Sequence, residues 1–335
     1  MRFTHFLGID LSKLKLDLSL FDGDEELFNQ ERKNETSPIE EVLDELIDTF
    51  QLDKSKLLIC AQHTGNYSYP LVKVALEKGL NLWIENPATI KLSSGIQRGK
   101  SDKIDATRLA VYALRFQDKA RLVTANDPVI DRLKYLHSER ELLVGDRAKY
   151  LAQIKDQPNF MPEIVFKEKK KRLDVIIKSL SKAIKTIEDQ VKSLIDQTAY
   201  FKQLMEIMTS IKGVGDQLAT YMLIATEGFR KFNNPRQFCC YAGIAPFRYT
   251  SGSSQRSRSR VSHRADKKAK QLLHMAALSS VKSNHEMKIY FNRKVKEGKN
   301  KMTVINAVRS KIVHRIFALI RDNRKYDHFY INQLA

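Results

Sequence analysis

The chain has 335 residues, 42% apolar and 29% charged, a composition that fits two or three folded domains and excludes a disordered protein. No run approaches the roughly 18 uninterrupted apolar residues of a membrane span, and the first residues lack a secretory pattern. Three cysteines, none in a CxxC pair, exclude disulfide and zinc-knuckle frameworks and predict a reducing, cytoplasmic setting.

In chain order, residues 5–21 (HFLGIDLSKLKLDLSLF) alternate at Leu14, Leu16, Leu18 and Leu20, the pattern of a half-buried strand. The Asp22-Gly23-Asp24 turn follows, and FNQERKN fits a returning strand. Helical spacing over 38–50, an apolar strand at 57–61, a helix at 69–78 and a strand at 81–85 complete an alternation that predicts an α/β domain with a partly parallel sheet. A further helix is expected over 102–116.

The middle of the chain differs. Leu173, Ile177, Leu180, Ile184, Ile187, Val191 and Leu194 are spaced 4, 3, 4, 3, 4, 3, a heptad seam with charged residues between. The narrow stripe predicts a coiled-coil arm rather than a surface helix. Residues 130–156 are its expected antiparallel partner, with the turn at 156–162.

Beyond residue 205 the chain reads as mostly helical, with amphipathic helices over 264–282 and 303–321. Residues 211–219 (IKGVGDQLA) have the form of a helix-hairpin-helix turn, which serves equally as a plain helix connection or as a phosphate cradle. From residue 241 onward there are 21 Lys and Arg against 5 Asp and Glu; the first 240 residues hold 37 and 34. A cationic third on a nearly neutral remainder predicts a polyanionic partner. The run Gln255-Arg256-Ser257-Arg258-Ser259-Arg260 adds hydroxyl and guanidinium donors suited to phosphate. Lys212, Gly213, Gly215, Arg248, Arg256, Arg258, Arg260, Arg264, Lys267 and Lys268 are the candidate nucleic-acid contacts.

Three acids draw attention in the first domain. Asp10 closes a strand pattern, while Asp102 and Asp105 share one face of a helix's first turn. Carboxylate clusters of this kind hold Mg²⁺. First-turn acids also complement the helix dipole, and Ser101 or Asp102 can serve as the N-cap.

The ordered motifs GIDLSK (8–13), HTGNYSYPL (63–71), NP (86–87), RGKSDKIDATRLA (98–110), IKGVG (211–215) and FNNPRQFCCYAGIAPFRYTSG (232–252) resemble those of the DEDD-type insertion-sequence transposases. That family includes the Piv-type DNA invertases and the bridge-RNA-guided recombinases. The resemblance implies three parts: an α/β RuvC-like, ribonuclease-H-fold domain over 1–122; a helical coiled-coil arm over 123–204; and a mainly α C-terminal transposase domain over 205–335. It implies a Mg²⁺ site of four acids. Asp10, Asp102 and Asp105 fall on three of them, and Gln62 stands where the fourth, a Glu before (Ala/His)-Thr-Gly, is expected. Loss of that charge implies weak metal occupancy or strand cleavage unless another acid substitutes, Glu85 being the nearby candidate.

The family's nucleophilic serine precedes a glycine after Ala-Gly-x-x-Pro, which implies Ser251 here, with Ser253 and Ser254 as alternatives. The implied activity is site-specific DNA recombination through a phosphoserine link, on donor and target duplexes. A structured guide RNA and a homo-oligomer, from dimer to tetramer, are implied partners, with no membrane role and a location at the bacterial nucleoid. Two rival readings remain: a metal-dependent junction-resolving nuclease in which water attacks, and a catalytically silent nucleic-acid-binding form motivated by Gln62.

Overall fold

The computed structural model describes residues 3–93, 95, 101–125, 127–232, 234–247, 250–251, 255–256, 260–261 and 265–327, with backbone alone at 250, 251, 255, 256 and 260. The chain divides into two units, residues 1–125 and 126–335.

The first unit is built on β1 (His5–Leu11), β2 (Lys15–Phe21) and β3 (Glu26–Lys33), an antiparallel meander, followed by α1 (Thr36–Thr49), β4 (Leu57–Gln62), α2 (Tyr69–Glu77), β5 (Asn81–Glu85), α3 (Pro87–Ser93) and α4 (Asp102–Phe116). β4 and β5 run parallel to β1, giving the order β3-β2-β1-β4-β5. The expected strand over residues 5–21 is in fact two. Ser12 turns the chain, its Oγ donating to the Lys15 carbonyl at 2.8 Å, and Leu14 lies in that turn 77% exposed rather than in the alternation.

Period-two alternation sorts the side chains to two faces. Leu7, Ile9, Leu16, Leu18, Leu20, Leu57 and Ile59 pack against Val42, Leu43, Leu71 and Val74 of α1 and α2. Phe6, Leu58, Cys60 and Trp83 pack against Ile90, Leu109, Tyr112 and Ala113 of α3 and α4. Because α4 covers that second face, Asp17 and Ser19 of β2 are buried, where alternation alone predicts exposure.

The approach of α4 is set by small residues. An added Cβ on Gly8 would lie 2.1 Å from the Ala106 carbonyl oxygen and 2.3 Å from the Ala110 amide. Only glycine on β1 opposite Ala106 and Ala110 allows the backbones to come this close.

The second unit begins with α5 (Pro128–Asp156) and α6 (Glu163–Asp196). Arg140 pairs with Glu188 at 2.7 Å, Arg147 donates to Ser181 at 3.4 Å and Lys169 to Gln157 at 2.6 Å. As one helix index rises the other falls, so the two form a long antiparallel hairpin. Leu173, Ile184 and Ile187 of the heptad seam are buried within it. At its root, Ile130, Leu133 and Ile195 join a core made with α7 (Ala199–Thr209), α8 (Asp216–Ala225) and α9 (Pro235–Tyr241). Four short strands follow, β6 (Pro246–Phe247), β7 (Thr250–Ser251), β8 (Gln255–Arg256) and β9 (Arg260–Val261), then α10 (Lys267–Ser283), α11 (His285–Lys296) and α12 (Lys301–Arg321). Leu273, Ala277, Val308, Ile312 and Ile316 complete that core. The expectation of a mostly helical third region missed the strands, which are too short and too polar to leave an alternation.

Gly8→Ala is expected to push α4 off β1 at a cost of about 1–3 kcal/mol, the penalty typical of overpacking. Gly145→Ala, on open surface in α5, should instead gain about 0.5–1 kcal/mol from lost chain entropy. Urea unfolding of the two variants checks both signs.

Candidate functional site

Gly8 and Asp10 share a sheet face, two residues or about 7 Å apart. Gly8 lies against the Ala106–Ala110 segment, and from Ala106 back to Asp102 is four helical residues or about 6 Å. The Lys15 ammonium, on the strand next to β1, reaches the Asp102 carboxylate at 3.1 Å. The first turn of α4 therefore descends alongside the end of β1, with Asp102 and Asp105 at the level of Asp10. The pairings Gly8↔Cys60 and Ile9↔Ala61 put Gln62 at the neighbouring strand end, on the same face. The four positions singled out in the sequence thus share one face and one end of the sheet. Ser101 is the N-cap of α4, its Oγ accepting from the Ile104 amide at 3.3 Å.

Two further side chains belong to this neighbourhood and carry no motif signal. Asp17 lies directly across from Asp10 in the β1–β2 register, with its side chain 3% exposed. Lys15 stands between carboxylates, 2.8 Å from Glu31, 3.1 Å from Asp102 and 3.5 Å from Asp17. Hydrogen bonds to Glu31 and Asp102 hold its ammonium well above the ordinary lysine range. Recognising the turn at Ser12 would have placed Asp17 opposite Asp10 from sequence alone. Asp105 is held by Arg108 at 2.8 Å, one turn along α4.

Glu85 pairs with Gln62 in the β4–β5 register, but its carboxylate is turned elsewhere. It accepts from the Asn86 amide at 2.6 Å and from the Tyr112 hydroxyl at 3.5 Å. Tyr112 is seven residues, about 10 Å, along α4 from Asp105. Burial, and then the Glu85 charge, push the Tyr112 phenol up to about 12. Glu85 thus serves Tyr112 rather than the position Gln62 leaves neutral.

Among the described residues no three His, Cys, Asp or Glu side chains are gathered as a metal-ion site requires. The candidate donors are nonetheless all oxygen, and the Lys15 ammonium already rests on one of them, Asp102, as it does on the neighbouring Glu31 and Asp17. This chemistry fits a hard divalent cation once Lys15 and Arg108 turn aside.

In the second unit, Ser251 lies on β7, paired with Gln255 of β8. The β6–β9 pairing, Pro246↔Val261 and Phe247↔Arg260, lies nearer the base of the same hairpin. The base is closed where the Asp266 amide donates to the Tyr241 carbonyl at 2.9 Å. Tyr221 and Tyr241 both donate to Asp266 Oδ2, at 2.6 and 2.7 Å, while Oδ1 caps α10 by accepting from the Ala269 amide at 2.7 Å. Burial opposes ionisation of Asp266, but the Ala269 amide and the two phenols together hold its carboxyl below the usual range.

The remaining candidates separate. Arg248, Arg258 and Arg264 lie outside the described residues, as do Ser253 and Ser254, and Arg256 and Arg260 are described in backbone only. Gly213, at φ +101°, is packed beneath Ser280, whose amide nitrogen a Cβ would meet at 2.6 Å. Ser280 Oγ donates to the Lys212 carbonyl at 2.9 Å. That turn therefore has a packing reason for its first glycine, whereas Gly215, N-cap of α8, faces open space. Lys212 and Lys267 are exposed, and Lys268 is paired with Glu141 of α5.

The order β3-β2-β1-β4-β5, with β1 to β3 antiparallel, β4 and β5 parallel to β1 and α4 packed on one face, is that of a ribonuclease-H-like domain. A family model described as "Transposase", of the DEDD IS110 type, matches residues 7–157, and another, "Transposase IS116/IS110/IS902 family", matches residues 205–292. The chain is 25% identical to the pilin gene-inverting protein of Moraxella lacunata over 96% of its own length and 97% of that protein. It is also 25% identical to the protein of the same description from Moraxella bovis, covering 84% and 85%. RuvC of T. thermophilus in complex with a Holliday junction substrate is 16% identical over 36% of this chain and 99% of that one, with a TM-score of 0.29. The chain belongs to the DEDD IS110-type transposases, a family of DNA recombination enzymes. Among the described residues no helix is long and apolar enough to cross a membrane.

Asp266→Asn removes a carboxylate that is more acidic folded than unfolded. Its stabilising contribution is full above the unfolded value of about 3.9 and fades as pH falls through and below it. The Tm gap between wild type and Asp266→Asn should therefore be open at pH 7 and narrow toward pH 3 in thermal melts across that range.

Proposed function

We propose that this protein is a site-specific DNA recombinase of a mobile element that joins strands through Ser251. The observation that carries the reading is the pairing of two features in one chain. One is a carboxylate end of a ribonuclease-H-like sheet, and the other is a serine raised on a clamped hairpin in a cationic segment. In the first step Ser251 Oγ attacks a DNA phosphorus. A P–Oγ bond forms, the phosphodiester P–O bond to the leaving strand breaks, and the serine proton passes to a base while the leaving oxygen gains one. A free hydroxyl on the partner strand then attacks the same phosphorus and releases the serine, so bond energy is conserved and no nucleotide cofactor is consumed.

Asp10, Asp102 and Asp105 would hold Mg²⁺, with Gln62 offering an amide oxygen, and the ion when bound supplies Lewis-acid charge at the reacting phosphate. The chain's own residues do the rest. Lys15 and Arg108 keep the acids compensated until that cation arrives. The Asp266 clamp fixes the hairpin's base, and the arginines flanking Ser251 hold phosphates. Duplex DNA is the substrate, and a structured guide RNA is the proposed source of sequence choice. The α5–α6 hairpin would serve as a coiled-coil arm for assembly into dimers and tetramers.

The neutral Gln62 favours a second reading, a nucleic-acid-binding form with little strand cleavage. Ser251→Ala should abolish any protein covalently attached to a nicked strand on denaturing gels. Free ends produced equally by wild type and variant would instead identify a hydrolytic nuclease. Gln62→Glu should raise recombination on a plasmid supplied with the RNA by at least about tenfold, the scale of a lost charge at a metal site. No gain would favour the silent reading.

A further inference from the structure

Arg309 of α12 is 6% exposed, and among the described residues no carboxylate pairs with it. Its Nη2 donates to His274 Nδ1 of α10 at 2.5 Å and its Nη1 to Asn306 Oδ1 at 3.4 Å, while its Nε is buried with no partner among the described residues. A guanidinium carries five N–H donors and does not lose its charge. Buried charges are ordinarily paired with an opposite charge. The cation here is left with two neutral neighbours.

The position of this group gives the vacancy of charge a meaning. Asn306 donates from Nδ2 to the Ile244 carbonyl at 2.8 Å, two residues before β6, so Arg309 lies at the root of the hairpin that carries Ser251. Residues 242–265 contain five arginines and no Asp or Glu, so that segment has no carboxylate to offer. His274 and Asn306, the two side chains that hold the guanidinium, are half-buried and so reach the surface in part. Because arginine only donates, His274 Nδ1 must be the acceptor, and its proton sits on Nε2. Burial, and then the Arg309 charge, keep that imidazole below its ordinary value and neutral. The pair thus offers an N–H fork and an imidazole N–H to an incoming oxyanion.

We propose that Arg309, with His274 and Asn306, forms a binding site for a nucleic-acid phosphodiester at the root of the Ser251 hairpin. A planar fork matches two phosphate oxygens, and the bound phosphate is the missing counter-charge. The proposal rests on the nucleic-acid reading above and assigns a particular contact within it.

Full-length wild type and Arg309→Met, which keeps an apolar stem of similar length, are compared by thermal melting and by anisotropy with labelled duplex DNA and labelled hairpin RNA over a salt series. The expected result is a Tm that holds or rises, because an uncompensated charge has gone. One of the two probes should lose about tenfold in affinity and about one unit of salt slope, which names the source of the phosphate. Inorganic phosphate should also raise the wild-type Tm above that in chloride at equal ionic strength, and leave Arg309→Met unmoved. An Arg309→Met chain that fails to fold or melts far lower overturns the proposal, since the charge is then compensated within the fold. Undiminished affinity and slope for both probes overturn it too. Wild type that binds neither probe removes the underlying nucleic-acid reading as well, whereas good wild-type binding unchanged in the variant refutes this contact alone.

Discussion

The contact between Gly8 and the backbone of α4 is the constraint on which the first unit depends. A strand and a helix normally stand about 10 Å apart because side chains on both fill the space. Here a residue without a side chain faces Ala106 and Ala110, and the helix settles onto the strand until backbone meets backbone. Asp10 is two residues beyond that glycine, and Asp102 and Asp105 are within one turn of Ala106. The acids are brought to one level by the packing of small residues behind them, with no contact of their own required. Like charges do not gather unaided, so the packing must oppose their repulsion, and Lys15 on Asp102 and Arg108 on Asp105 relieve part of it.

This arrangement also explains which features of the site the sequence makes legible. Gly8-Ile9-Asp10 and Asp102-Lys103-Ile104-Asp105 are local patterns, and each announces its own position on a strand end or a helix start. Asp17 does not, because its significance is a matter of register. Alternation puts it opposite the leucines, on a face that looks solvent-bound until α4 covers it. The same holds for Lys15, whose partners come from β2, β3 and α4. The turn at Ser12 is the step on which both depend, and a continuous run of alternating leucines conceals it. Gln62 could be read as a substitution from its motif, but the direction in which Glu85 points is a tertiary fact. The contacts of Glu85 with the Asn86 amide and the Tyr112 hydroxyl are visible only in the folded chain.

In the second unit the legible and the hidden divide along similar lines. The heptad seam from Leu173 to Leu194 gave the long helix and its antiparallel partner, because periodicity over three repeats averages out local noise. The hairpin holding Ser251 is the opposite case. Its strands are two residues each, below the length at which any period can be seen. Its closure comes from Asp266, far from it in the local pattern, accepting from Tyr221 of α8 and Tyr241 of α9. A residue that caps α10 thereby also ties the hairpin's base to the helical core.

Holding an arginine-rich stretch by its two ends has a physical rationale. Arginines close together in sequence repel one another, so contacts at the ends of such a stretch must offset that repulsion. Asp266 clamps one end with a compensated charge, and Asn306 holds the other through the Ile244 carbonyl. The two cations differ: Lys15 meets Glu31, Asp102 and Asp17, whereas among the described residues Arg309 meets only His274 and Asn306.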